Sequence, residues 1–195
     1  LICENYFSVL HEILPKLKAI AKKNKICFIR INPNILNTKT NQNSYKKLWF
    51  KNAPMHEHAE DTHILNLEKS EEELFANIKK KDRYYINRAI KEWVTIRKDN
   101  KKDHREILKS MHKNHAKKVW YHQFSDTFID SLYDVFDDKI TTLSTQYNWV
   151  IESILMTIQI WDACVYYIAA SDIKNPKFSP NYLCQWEAIK QAKKN

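Results

Sequence analysis

The run Lys79-Lys80-Lys81-Asp82-Arg83-Tyr84-Tyr85-Ile86-Asn87-Arg88 carries the clearest chemistry in the chain. At helical spacing Lys80, Arg83 and Tyr84 fall near one face, with Arg88 about a turn beyond. Cations neutralise phosphates and aromatic rings stack on bases, so the run suits phosphate or nucleic-acid contact, and equally a solvated charged helix face. A second stretch is Tyr166-Tyr167-Ile168-Ala169-Ala170-Ser171, followed by Pro180-Asn181-Tyr182-Leu183-Cys184-Gln185-Trp186. It reads as a strand ending in small residues, a loop and the start of a helix. Backbone amides at such a joint face a cleft and can hold an anion or a carbonyl oxygen. The same pattern also serves as a plain strand-to-helix packing joint.

Other reactive side chains are less specific. His56, His58 and His63 lie near Glu57, Glu60 and Asp61, but their spacing matches no zinc signature. His112 and His115 share a helix face, with His122 beyond. Cys3, Cys27, Cys164 and Cys184 form no Cys-x-x-Cys pair, and the last three sit in apolar contexts, so buried free thiols of a reducing compartment are expected. No nucleophile elbow, Walker loop, catalytic triad or glycine-rich dinucleotide signature is present.

The chain of 195 residues is 44% hydrophobic and 12% aromatic, with 32 basic against 23 acidic side chains and a net charge of +9. That composition excludes collagen-like and linker classes and does not read as disorder. No apolar stretch approaches the roughly 18 to 20 residues of a membrane span. The longest candidate, Val150 to Ala170, is broken by Glu152, Gln159 and Asp162 and reads as strands. The chain begins Leu1-Ile2-Cys3 and stops in a helical pattern at Lys194-Asn195, as an internal fragment would.

The elements that must position these residues follow from periodicity. Apolar residues from Tyr6 to Lys23 keep the helical period, and Ile26 to Ile31 reads as a buried strand ended by Asn32-Pro33. A polar loop spans 34 to 44, a short helix runs to about Leu48, and Thr62 to Leu67 is a short alternating strand. Ser70-Glu71-Glu72-Glu73 is a capping box opening a helix that runs to about Glu92. Val94 to Arg97 is a strand; His104 to Lys118 and Asp126 to Phe136 are helices. Three strands, Lys139 to Tyr147, Val150 to Ile160 and Ala163 to Ala170, form an antiparallel meander. A last helix starts near Pro180. The fold class is α+β, with an antiparallel-rich mixed sheet flanked by helices.

No glycine occurs in the chain, where average usage of about 7% would give on the order of a dozen. The two short strand links are Asn148-Trp149 and Trp161-Asp162, and two-residue hairpins want Asn-Gly or Gly-Asp there. Trp93 falls at the end of a helix, where glycine closes helices, and Trp49 and Trp120 also follow helices. Trp186 alone of the six tryptophans sits on an apolar helix face. The pattern suggests that the gene reads UGA as glycine and that a table reading it as tryptophan produced this sequence. The abundance of Lys, Asn and Ile fits an AT-rich gene.

Several motifs in order carry a resemblance: Thr62 to Leu67, Ser70-Glu-Glu-Glu-Leu74, Lys80-Lys-Asp-Arg83-Tyr84-Tyr-Ile86, Glu92-Trp93-Val94, Tyr166-Tyr167-x-Ala169-Ala170-Ser171 and Pro180-Asn-Tyr-Leu-x-Gln-Trp-Glu-Ala-Ile-Lys190. Together they resemble the Fem family of tRNA-dependent peptidoglycan-bridge aminoacyltransferases, and Phe28-Ile29-Arg30-Ile31-x-Pro33 is similar to the end of that family's first lobe. The resemblance implies two acetyltransferase-like (GNAT-type) lobes, with 1–61 the remnant of the first and 62–195 the second, cut short at its C-terminal end. It implies transfer of an amino acid from aminoacyl-tRNA to the stem peptide of a lipid-linked or UDP-linked muropeptide precursor. The setting would be the cytoplasm, with peripheral contact at the inner face of the membrane, and no DNA, metal or coenzyme A. On the matching positions, Lys80, Arg83 and Arg88 would bind phosphate with Tyr84 packing beside them, while Tyr166, Tyr167, Ser171 and Asn181 would line the cleft.

The chain departs from the family in three ways. Trp93, Trp149, Trp161 and Ala169 stand where the family tends to have glycine, most of the first lobe is absent, and the C-terminal segment with its functional lysine is not reached. No helical-arm insertion is seen. The composition and basic helix leave two other readings open: a non-catalytic RNA-binding module and an acyl-CoA-dependent N-acyltransferase.

Overall fold

The computed structural model describes residues 6–33, 35–54, 63–98, 101–119, 123–174, 176–177 and 179–194, except the side chains of 101–103. The chain divides into two compact units, Leu1–Ile64 and Leu65–Asn195.

In the first unit, helix α1 (Tyr6–Lys23) buries Leu10 and Leu14. Thr38 caps helix α2 (Lys39–Lys47) by accepting from the Asn41 amide, so this helix begins inside the stretch expected to be a polar loop. The Tyr45 hydroxyl donates to the Tyr6 hydroxyl at 2.7 Å, and Phe7 and Phe50 pack edge-on against Tyr45. Ile26 to Ile31 forms no strand: an apolar run becomes a strand only when its backbone finds a partner, and this unit supplies none among the described residues. Phe28 is 73% exposed and Cys27 is also exposed, so this thiol is not buried as its apolar context suggested.

The expected strand from Thr62 to Leu67 straddles the division between the units and is irregular from 63 to 66, with residue 62 outside the described residues. In the second unit, helix α3 (Glu71–Asn77) opens on the capping box: Ser70 Oγ accepts from the Glu73 amide and Glu73 accepts from the Ser70 amide. The helix expected to continue to about Glu92 instead breaks. Ile78 and Lys79 are extended, and helix α4 (Lys80–Lys91) starts afresh. Arg83 explains the break, because its Nη1 donates to the carbonyls of Ala76 and Ile78 and so satisfies groups that the end of α3 leaves open.

Strand β1 (Thr95–Arg97) follows, then helix α5 (Lys101–Val119) and helix α6 (Asp126–Phe136), whose N-cap Ser125 accepts from the Phe128 amide. Strands β2 (Ile140–Tyr147), β3 (Val150–Ile160) and β4 (Ala163–Ser171) form the meander, and helix α7 (Asn181–Lys194) ends it. The sheet is antiparallel throughout, in the order β1-β2-β3-β4.

Successive strand side chains point to opposite faces, which gives the unit two cores. Ile140, Ile154, Met156, Ile158, Ile168 and Ala170 meet Leu108 and Met111 of α5 and Ile129, Leu132 and Tyr133 of α6. Leu143 and Leu155 meet Cys184 and Ala188 of α7, while Leu183 and Trp186 meet Ile86 and Ala89 of α4. Three buried polar pairs anchor the sheet: His104 Nε2 with Ser144 Oγ at 3.1 Å, Tyr133 with Thr142 at 2.7 Å, and Thr145 with Ser153 at 2.6 Å.

Each face shifts at a bulge. Opposite Thr145 and Gln146 stand Ser153 and Ile151, leaving Glu152 as the extra residue of β3; opposite Met156 and Thr157 stand Ile168 and Tyr166, leaving Tyr167 extra in β4. Ile154, 1% exposed at the centre of the larger core, is expected to cost about 2 to 5 kcal/mol when cut to alanine. Urea unfolding of Ile154→Ala against the parent measures it.

Candidate functional site

The end of β4 and the start of α7 enclose a cleft of about 220 Å³. Ser153 and Leu155 of β3, Tyr166, Ala169 and Ser171 of β4, His115 of α5, and Asn181, Cys184 and Gln185 of α7 line it. The β4 bulge is what brings Tyr166 there. It pairs with Thr157, shares a hydrogen bond with Gln185, and burial pushes its phenol up, against the lowering effect of that hydrogen bond. At neutral pH the ring is a hydroxyl donor.

Cys184 is not a nucleophile. Burial pushes its thiol up to about 12, and its Sγ lies 3.5 Å from the Leu143 carbonyl; a thiol held neutral does not attack. Helix α7 has no acidic residue in its first turn, so the positive end of its dipole meets the cleft uncompensated. The Asn181 Oδ1 is buried and finds no hydrogen-bond donor among the described residues.

Glu152, fully buried at the β3 bulge, holds the exit of β4. Its Oε2 accepts from the Lys174 amide at 3.1 Å, and its carbonyl accepts from the Asp172 amide at 2.9 Å. Asp172 lies between Lys118 and Lys174, each at 2.7 Å. Those two ammonium groups hold its carboxyl below the usual range. His115 Nδ1 lies 3.2 Å from the Ser171 carbonyl.

The basic run lies on α4. Lys80 is exposed, and its side chain has no hydrogen bond or ion pair among the described residues. Arg83 is half-buried, with Nη1 committed to the α3 carbonyls. Arg88 donates to the Tyr84 hydroxyl at 2.7 Å, lies 5.9 Å from that ring's centre and is 3.9 Å from Glu92. Tyr85 stacks on Tyr182 with ring centres 5.3 Å apart and planes 17° from parallel. That stack joins the basic helix to the residue beside Asn181.

Of the residues expected in the cleft, Tyr166, Ser171 and Asn181 are brought together there. Tyr167 stands at the bulge outside the lining, stacked on Phe124 at 6.5 Å. His115, Ser153 and Gln185 line the cleft without having been singled out for it. Only the helical spacing that puts Gln185 four residues after Asn181 signals one of them in advance. Of the histidines weighed for metal, His56, His58 and His122 lie outside the described residues and His63 is exposed. No group able to hold a metal occurs among the described residues, nor does a helix long and apolar enough to cross a membrane.

A mixed α and β unit, with a four-stranded antiparallel sheet between helices and a cleft where β4 gives way to α7, defines the class. Among the solved structures that match is the crystal structure of FemX. It is 14% identical with a TM-score of 0.76, over 96% of this chain and 66% of that one. This chain therefore has the FemX fold and spans just under two thirds of that protein's length, in keeping with the mixed α and β class expected from the sequence. No protein-family model matches the chain, and no curated protein matches it in sequence.

Two predictions follow the geometry. His112 accepts from the Phe124 amide through Nε2 at 3.1 Å, and burial, then the charge of His115, hold its imidazole below the ordinary 6.5. A histidine whose folded pKa is depressed contributes full stability above its unfolded pKa and loses it as pH falls through the window below. The melting temperature should therefore fall as the pH drops below the ordinary imidazole value of about 6.5, and less so in His112→Gln. Glu152→Ala, which frees the Lys174 amide, should cost about 2 kcal/mol, read by urea unfolding.

Proposed function

We propose that this chain is the catalytic-lobe portion of a tRNA-dependent aminoacyltransferase that builds peptidoglycan cross-bridges, with residues 1–61 ending one GNAT-type lobe and 62–195 forming most of a second. The observation that carries the reading is the polar cleft at the β4–α7 joint, in a chain of FemX fold whose motifs resemble the Fem family. The reaction is aminolysis of an ester. An amine of the stem peptide attacks the aminoacyl carbonyl, a C–N bond forms, the C–O bond to the ribose breaks, and the hydroxyl leaves with a proton.

Such a reaction needs position and charge stabilisation rather than a covalent nucleophile. The Tyr166 hydroxyl and the amide end of α7 face the carbonyl oxygen, and His115 takes the proton that the attacking amine gives up. Lys80, Arg83 and Arg88 bind the phosphates of tRNA or precursor with Tyr84 beside them. The partners are aminoacyl-tRNA and a lipid-linked or UDP-linked muropeptide, met at the cytoplasmic face of the membrane, with no metal or coenzyme A.

The deciding assay supplies the intact protein encoded by this gene with charged tRNA, with and without lipid-linked precursor. The expected result is amino-acid transfer only when both are present. Salt-sensitive RNA binding with no transfer would instead favour the RNA-binding module. Lys80→Ala is the cleaner probe of the basic helix, because Arg83 also holds α3 to α4. Lys80→Ala should leave the melting temperature unchanged while weakening RNA binding and lowering the salt slope by about one.

A further inference from the structure

We propose that Trp49, Trp93, Trp149 and Trp161 are glycines in the protein as its own cell makes it, all four specified by one codon that the source reads as glycine. Each has a left-handed backbone, with φ of 66°, 59°, 67° and 52° respectively. Tryptophan is a bulky residue for which that region is a true outlier, and glycine is the residue that enters it freely.

The hydrogen bonds define what each position is. After α4, the Trp93 amide donates to the Ile90 carbonyl and the Val94 amide to Ala89. After α2, the Trp49 amide donates to Lys46 and the Phe50 amide to Tyr45. Both pairs are the two bonds of the Schellman motif, with tryptophan at the C′ position that glycine fills. In the β2–β3 hairpin both Asn148 and Trp149 are left-handed, which is the turn that selects Asn-Gly. In the β3–β4 hairpin Trp161 alone is left-handed and Asp162 is not, the pattern with glycine in first place.

Burial gives a second and independent sign. The four indoles are 90%, 87%, 92% and 81% exposed, whereas Trp186 is 8% exposed and packs on Phe75. Tryptophan is on average a highly buried side chain, and these four contribute nothing to any core cluster of the described residues. The other residues with positive φ are Lys25, Asp137, Asn148 and Ser179, of which Asn148 is of a type that visits the left-handed region habitually. Trp120 lies outside the described residues and is left to the codon test.

Two measurements decide it. Peptide masses from the protein isolated from its natural host should show glycine at 49, 93, 149 and 161 and tryptophan at 186, and the four codons should be UGA with UGG at 186. In recombinant form, the chain carrying Trp49→Gly, Trp93→Gly, Trp149→Gly and Trp161→Gly together should melt higher than the chain as written, by on the order of 10 °C. Trp186→Gly should melt lower. Tryptophan in the native peptides, UGG at the four codons, or a quadruple variant no more stable than its parent would each overturn the proposal.

Discussion

The register of the β2–β3–β4 meander decides what the rest of the unit can be. Strand side chains alternate, so a slip of one residue would send every buried side chain to the opposite face. Two-residue links fix that register locally, and two bulges then correct it, one at Glu152 and one at Tyr167. Because of these corrections Ile154 and Met156 meet α5 and α6 while Leu155 meets α7. Ser153 and Tyr166 come to the same cleft. The cleft is thus a product of pairing rather than of any loop.

Around that frame the polar groups divide into those that hold and those that remain available. Glu152 is spent on the amide of Lys174, and Arg83 spends one nitrogen on the end of α3. The thiol of Cys184 is locked in its neutral form by burial. What faces the cleft includes a phenol donor, an amide oxygen with no donor among the described residues and the positive end of a helix. That set can orient a carbonyl and shield developing charge. The basic helix is tied to it by one aromatic stack, Tyr85 on Tyr182.

Much of this was legible in the residues themselves. Local chemistry announced the capping box at Ser70, the helix from Asp126 to Phe136 and both hairpins, because each is settled by side chains or backbone needs within a few residues. The positions wanting glycine were legible for the same reason. The strand expected over Ile26 to Ile31 failed because strandedness depends on a partner that no local pattern supplies. The break between α3 and α4 depends on where one guanidinium lands seven residues on from Ala76. Sequence placed Tyr166 and Tyr167 together as cleft residues; the bulge parts them, and a bulge is a property of two strands at once.

That same irregularity at Tyr167 has another effect. β1 is a three-residue strand and closes one side of the sheet briefly, whereas β4 is nine residues long and lies at the other side with no further strand paired to it among the described residues. A long, regular row of open amides and carbonyls invites a strand from a second molecule. The extra residue interrupts the row near its middle and twists the strand locally. The kink that delivers a phenol to the cleft therefore also acts as a guard against edge-to-edge association.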